Sequence, residues 1–279
     1  MKNFIDHHKN KLFKSSFHKL DFEFSKLKED IYKYSSLAYL ADFGAVDISF
    51  DLEILNIVNN AFIKTANSFK DVENKIIERP LIFVSIENSK FSNLDFDNLI
   101  DTAKSLNDNL VDVLEIEIDY IDIDCIYEQL SFFYSNLKKK FLSLKISRKN
   151  LSNANIIEII KKARKITDNN LLIEVDGINN QSENTYNQTL QTISTADIIN
   201  KELNSKIPNS KKIPIILSGG TNSFTSKLAM QCGVPFNGIS ITSNYLNQNK
   251  EFEIGNKDIF NSKELLDEFL KNLGKIFIF

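Results

Sequence analysis

Eight short runs of β-type residues, separated by longer segments with helical spacing, constrain this 279-residue chain more than any other feature of it. The runs are FHKLDF (17–22), VDIS (46–49), LIFVSI (81–86), VDVLEIEI (111–118), FLSLKIS (141–147), LLIEVDG (171–177), IPIILSG (213–219) and FNGISIT (236–242). Between them, apolar residues recur every three or four positions: Leu27, Ile31, Tyr34 and Leu37; Leu52, Leu55, Val58 and Phe62; Ile156, Ile157, Ile160 and Ala163. Strands alternating with helices make an α/β chain with parallel strands. Eight such units over residues 17–279 predict a single-domain (β/α)8 TIM-type barrel behind an N-terminal extension over 1–16; an open doubly wound sheet is the alternative. The polar stretch INNQSENTYNQ (178–188) is expected to be a βα loop, and SKELLDEFLKNLG (262–274) the eighth helix. The apolar tail KIFIF (275–279) reads as closing the core, with a subunit contact as the alternative.

Composition narrows the chemistry. All three histidines (His7, His8 and His18) precede residue 19, and the two cysteines, Cys125 and Cys232, stand far apart. Zinc or iron-sulfur spacing is absent, and Ser-His-Asp or Cys-His catalysis would have to borrow a tail histidine. No metal site is expected. With a formal net charge of −3, a pI near 5.8 and only three arginines (Arg79, Arg148 and Arg164), no basic field favours nucleic acid. Two lone cysteines and the lack of a long apolar run predict an intracellular, soluble chain with no membrane span. The first twenty residues contain Asp6 and no apolar core, which excludes a secretory signal; a transit peptide stays open beside the simpler reading of a solvated segment.

Period-two alternation divides each strand into two faces. In LLIEVDG it sends Leu171, Ile173 and Val175 outward and leaves Leu172, Glu174 and Asp176 inward. In FLSLKIS, Leu142, Leu144 and Ile146 face the helices while Ser143, Lys145 and Ser147 face the lumen. The same division turns Glu115 and Glu117, Asp47 and Ser49, Ser85 and Glu87, and Lys19 and Asp21 inward. Barrel interiors are ordinarily filled by branched apolar side chains, so this density of ionisable groups marks a polar site. Lys19, Glu115, Lys145 and Asp176 are the candidate catalytic residues, with Asp47, Ser85 and Glu174 beside them as ligand-binding groups. Two lysines among carboxylates suit an anionic ligand, or a Schiff base if one lysine is desolvated. A lumenal ion-pair network that only fills space is the alternative.

The segment IPIILSGGTNSFT (213–225) is a strand that ends on Ser218, Gly219 and Gly220 and runs into a helix expected to begin near Asn222. Paired glycines let backbone NH groups approach an anion at a helix N-terminus. Ser218, Gly219, Gly220, Thr221 and Asn222 are therefore candidate ligand-binding residues, with Ser243 and Asn244 after the eighth strand completing a phosphate or carboxylate site.

At this motif the chain resembles the family of the cyanobacterial light-dependent period protein LdpA and its relatives encoded in algal plastids. The family's strand followed by GGTN and a later Thr is matched by Gly219, Gly220, Thr221, Asn222 and Thr225. Other segments follow in order: VDIS (46–49) after FGA resembles the family's "GAxxIDVAAD", RPLIFVSI (79–86) its "KPWLMVSL", VDVLEI (111–116) its "VDAVEIH", and EVDG (174–177) its "QTDG". Lys19 stands where the family carries a lysine in its first strand. The similarity is patchy but collinear from about residue 17 to 245. It implies a regulatory or accessory protein linked to light or redox input to the circadian clock, in a plastid stroma or a cyanobacterial-type cytoplasm.

Three departures matter. The family carries a cysteine-rich insert that binds iron-sulfur clusters, whereas VSIENSKFSNLDFDNLID passes that point without a cysteine, so no iron-sulfur cofactor is expected. INNQSENT replaces a glycine-rich loop after Gly177, and the β-branched Thr242 stands where the family has glycine. Two functions follow: a noncatalytic LdpA-like protein holding a small anionic ligand, or a barrel lyase, aldolase or isomerase acting on a phosphorylated or carboxylated metabolite. No protein partner is legible.

Overall fold

The computed structural model describes residues 17–21, 28–69, 79–86, 96–108, 110–118, 123–137, 140–147, 152–168, 170–177, 185–205, 212–218, 228, 231–232 and 238–242. Among these, eight parallel strands pair in chain order and close on themselves: β1 (Phe17–Asp21), β2 (Ala45–Ser49), β3 (Leu81–Ile86), β4 (Val113–Ile118), β5 (Phe141–Ser147), β6 (Leu171–Asp176), β7 (Ile215–Ser218) and β8 (Gly238–Thr242). Closure is made by β1 against β8, with Phe17 beside Gly238 and Asp21 beside Thr242. The open-sheet alternative is thereby excluded. The helices among the described residues are α1 (Lys28–Leu40), α2 (Leu52–Phe69), α3 (Phe96–Asp108), α4 (Ile123–Asn136), α5 (Asn153–Thr167) and α6 (Thr185–Ile199), the last continued by a π-helical turn over Asn200–Asn204.

Alternation builds two separate cores. Val46, Ile48, Ile82, Val84, Leu114, Ile116, Leu142, Leu144, Ile173 and Val175 point outward and are buried against Ile31, Leu37, Leu55, Val58, Ile156 and Ile160 of the helices. The opposite faces supply a smaller lumenal plug of Ala45, Leu81, Phe83, Val113, Phe141, Leu172 and Ile216. On each of β2 to β7 the plug residues precede the polar ones, so the apolar half of the lumen lies toward the strands' N-terminal ends. The polar half lies toward their C-terminal ends, where barrels of this kind hold ligands.

Several element limits differ from the sequence expectation. Val111 and Asp112 lie before β4, because Asp112 is committed to the foot of the barrel. Its carboxylate receives two hydrogen bonds from Arg79, Nη1 to Oδ2 at 2.6 Å and Nη2 to Oδ1 at 2.9 Å, and Oδ2 also accepts the Ile82 amide at 2.8 Å. Asp112→Ala removes all three and strands a backbone NH, so a loss of about 2–3 kcal/mol in urea unfolding is expected. A loss under half a kcal/mol would show that the clamp is decorative. Leu52 is 45% exposed rather than part of the apolar stripe, since Asp51 Oδ1 caps α2 through the Glu53 and Ile54 amides and leaves the first helical residue facing water. The stretch 178–188 is not wholly a loop: its last four residues open α6. The proposed eighth helix, the N-terminal extension, the KIFIF tail and Leu27 lie outside the described residues. Among the described residues no helix is long and apolar enough to cross a membrane.

The π-helical turn positions β7. Asn204, buried, donates through Nδ2 to the Ile213 carbonyl at 2.9 Å and accepts the Ile213 amide on Oδ1 at 2.8 Å. This paired clasp fixes where β7 starts, and with it the depth at which Ser218 ends the strand.

Candidate functional site

Inward parity, strand by strand, delivers the charged side chains to one volume above the apolar plug. Lys19 on β1 is fully buried, and its ammonium donates to Asp47 Oδ2 of β2 at 2.7 Å and to Glu115 of β4 at 3.1 Å and 3.3 Å. It also forms an ion pair with Glu174 Oε2 of β6. Beneath it, Nζ stands 5.0 Å from the centre of the Phe83 ring, a cation–π contact. Hydroxyl groups complete the shell: Ser85 Oγ donates to Asp47 Oδ1 at 2.6 Å and lies 3.3 Å from Glu115 Oε1, and Ser143 Oγ donates to Glu115 Oε2 at 2.6 Å.

The charges in this volume do not balance. One ammonium faces three buried carboxylates, so burial and the carboxylates act against each other on every group. For Lys19, burial favours the neutral amine, but Asp47, Glu115 and Glu174 outweigh it and hold the group cationic well above the usual lysine range. For Asp47, burial is overcome by Lys19 and Lys145, and its carboxyl falls below the ordinary value. Glu115 is the group that yields: burial and the neighbouring Glu174 raise it to about 8 against the pull of Lys19. A carboxylic acid that keeps its proton near neutrality is thus built into the middle of the barrel.

The sequence grouping of Lys19, Glu115, Lys145 and Asp176 as one set resolves into two tiers. Lys19 and Glu115 lie in the buried tier with Asp47, Glu174 and Ser85. Lys145 and Asp176 lie nearer the rim, their charged groups 4.0 Å apart, with Lys145 buried and the Asp176 side chain 27% exposed. The tiers remain electrostatically joined, because Lys145 acts on Lys19, Asp47 and Glu115 alike. In register, Lys145 stands beside Glu174, and Ser147, Asp176 and Ser218 form one row across β5, β6 and β7. The Schiff-base expectation does not suit Lys19: a cation clamped by three carboxylates has no lone pair to attack a carbonyl.

Gly219, Gly220, Thr221, Asn222, Ser243 and Asn244 lie outside the described residues, as does Glu87. Ser143 belongs to the cluster although its inward parity alone carried no chemical signal. Phe83 likewise contributes through its ring face, which nothing in LIFVSI foretells. Lys19 occupies the space its three carboxylates enclose, and among the described residues no group of three or more His, Cys, Asp or Glu side chains is arranged to hold a metal ion. A surface depression lined by Tyr32, Asn60, Ile63 and Lys64 lies outside the barrel wall and contains none of these groups.

No protein-family model and no curated protein matches the chain. Solved structures do. A truncated form of 3-deoxy-D-arabino-heptulosonate 7-phosphate synthase from Thermotoga maritima superposes with a TM-score of 0.52 at 17% identity, over 93% of this chain and 87% of that one. Fructose-bisphosphate aldolase from Campylobacter jejuni gives 0.52 at 12% identity, over 98% and 89% of the two chains. QR15, an aldolase, gives 0.55 at 10% identity, over 87% and 98%. The fold is the TIM barrel. At such identities the likeness carries the architecture alone, and the chemistry of this TIM barrel rests on its own lumenal residues.

Proposed function

We propose that this TIM barrel is an enzyme of the lyase, aldolase or isomerase type that binds a small phosphorylated or carboxylated metabolite at its C-terminal mouth. The observation that carries this reading is the buried quartet of Lys19, Asp47, Glu115 and Glu174, with Lys145 and Asp176 above it, at the end of the lumen where barrels hold ligands. Lys145 pairs with the anionic group of the ligand. Glu115 is the acid and base, since a carboxyl titrating near 8 both gives and takes a proton at working pH. Ser85, half-buried and bonded to both Asp47 and Glu115, links that proton to the mouth. Lys19 is a positioning residue that keeps Asp47 ionised.

A second reading follows the resemblance to the LdpA family: a regulatory protein that holds the same ligand without turning it over. The segments that carry the resemblance, VDIS, RPLIFVSI, VDVLEI and EVDG, contribute Asp47, Ser85, Glu115 and Glu174 to the same cluster, so the two readings share one site. Both readings need Lys145. Lys145→Ala is expected to abolish the thermal stabilisation that a panel of sugar phosphates and carboxylates produces in the parent protein. An unchanged shift in the variant overturns both, and turnover of a stabilising ligand decides between them.

A further inference from the structure

Several buried hydroxyl groups in this protein find partners within their own helix or in the lumen. Ser35, Thr65, Thr192 and Thr195 each bond to the carbonyl four residues back in their helix, and Ser143 bonds to a carboxylate. Tyr32, Thr167 and Ser218 carry buried hydroxyls without a partner among the described residues, and of the three Ser218 is the one on a barrel strand. It is 2% exposed at the C-terminal end of β7, shares the lumenal face with Ile216, and its Oγ has no hydrogen-bond partner among the described residues. Within the strand the backbone carbonyls are engaged by the neighbouring ladders. Diagonally across on β6, Glu174 spends Oε2 on Lys19, while its buried Oε1 likewise has no hydrogen-bond partner. A buried donor and a buried acceptor, on adjacent strands of one face and with Lys145 beside the acceptor, are both unused among the described residues.

Leaving two such groups dry costs free energy that selection for stability alone would remove, for instance with alanine at 218. A ligand hydroxyl satisfies both at once, because it accepts from Ser218 Oγ and donates to Glu174 Oε1. The charge of the site agrees. Four carboxyl groups, those of Asp47, Glu115, Glu174 and Asp176, surround two lysines, so the lumen favours neutral hydroxyls and tolerates only the anionic group that Lys145 meets. We infer that Ser218 and Glu174 form a hydroxyl-recognition subsite, and that the ligand carries an alcohol group close to a single anionic group.

This inference rests on the mouth being a ligand site, and the test keeps the two apart. Two matched pairs of probes are used with the full chain, D-glycerate against propionate and glycerol 3-phosphate against propyl phosphate, with binding followed by ligand-observed NMR titration. The hydroxylated member of at least one pair is expected to bind about tenfold more tightly than its deoxygenated partner, the worth of one well-placed hydrogen-bonding group in a buried site. The pair that responds identifies a carboxylate or a phosphate as the anion. Ser218→Ala should reduce that preference to less than twofold while raising the Tm of the ligand-free protein by about 2–4 °C, because an unsatisfied buried hydroxyl is removed. Equal binding of both members, weakened by Lys145→Ala, overturns the hydroxyl subsite and leaves the anion site standing. A lower Tm for Ser218→Ala also overturns the subsite, since it shows the hydroxyl already serving the fold through a trapped water. Failure of all four probes to bind the folded chain overturns subsite and site together.

Discussion

Lys19→Met is expected to destabilise the barrel by about 3–5 kcal/mol at pH 7, the cost of leaving buried charge without its partner. Methionine matches the length and apolar stem of lysine, so the plug around Phe83 stays filled and the loss isolates the ammonium. The carboxyl groups of Asp47, Glu115 and Glu174 then share a dry lumen without the Lys19 ammonium, and a charge among them is relieved by taking up a further proton. The pH dependence has a definite sign. In the parent protein, Asp47 is held below the ordinary carboxylate value, so its contribution is present above that value and is lost as pH falls through the folded one. The parent already holds one extra proton on Glu115 between pH 5 and 7, and the folded variant takes up a further one, so its stability rises more steeply than the parent's as pH falls from 7 toward 5. The gap between the two proteins therefore narrows on acidification. Urea unfolding at pH 5 and pH 7 measures it, and a loss below 1 kcal/mol at pH 7 would mean that the lumen is wet and the pairs screened.

Glu115→Gln is expected to flatten the dependence of stability on pH between about 4.5 and 8. In the folded parent, Glu115 keeps its proton to about 8, whereas an unfolded glutamate releases it near 4.5. The native state is the one that holds the proton in that window. Stability is therefore full below the lower value, declines as pH rises through the window, and levels off above the upper one. The decline is on the order of a few kcal/mol. Glutamine cannot titrate, so the slope disappears. Its amide meets the Lys19 ammonium and lowers stability at every pH, which makes the slope rather than the absolute value the measurement. Parallel slopes for parent and variant from pH 5 to 8 would assign the buffering to another group. The same carboxyl is the acid and base of the proposed reaction, so a kcat that falls on either side of neutrality in the parent should lose its Glu115 limb in Glu115→Gln.

Much of this was legible because strand parity is a local property. LLIEVDG and FLSLKIS separate cleanly into lumenal and helix-facing sets, and the structure buries Leu142, Leu144, Ile173 and Val175 against helices while sending Lys145 and Glu174 inward. Element limits were less legible where a side chain found a better partner than the pattern offered. Asp112 left the fourth strand for Arg79, and Asp51 capped α2 so that Leu52 faced water. Asn204, which sets the position of β7, lies in a π-helical turn whose sequence NKELN carries no such signal.

The alternation of β and helical periods thus determined an α/β chain of parallel strands and which strand side chains share one face, because both follow from geometry that repeats every two or every 3.6 residues, while the closure of β1 on β8 made that sheet a barrel. Only the tertiary structure decided how those side chains pair. Lys19 meets residues of β2, β4 and β6 because the sheet closes between β1 and β8 and the register sets their depths. That arrangement separates Lys19, a cation locked among three carboxyl groups, from Lys145, which stands nearer the rim beside Asp176. Coulomb energy in a dry lumen falls off with distance across the barrel rather than along the chain. The pairing therefore exists only once strands far apart in sequence have been brought round to face one another.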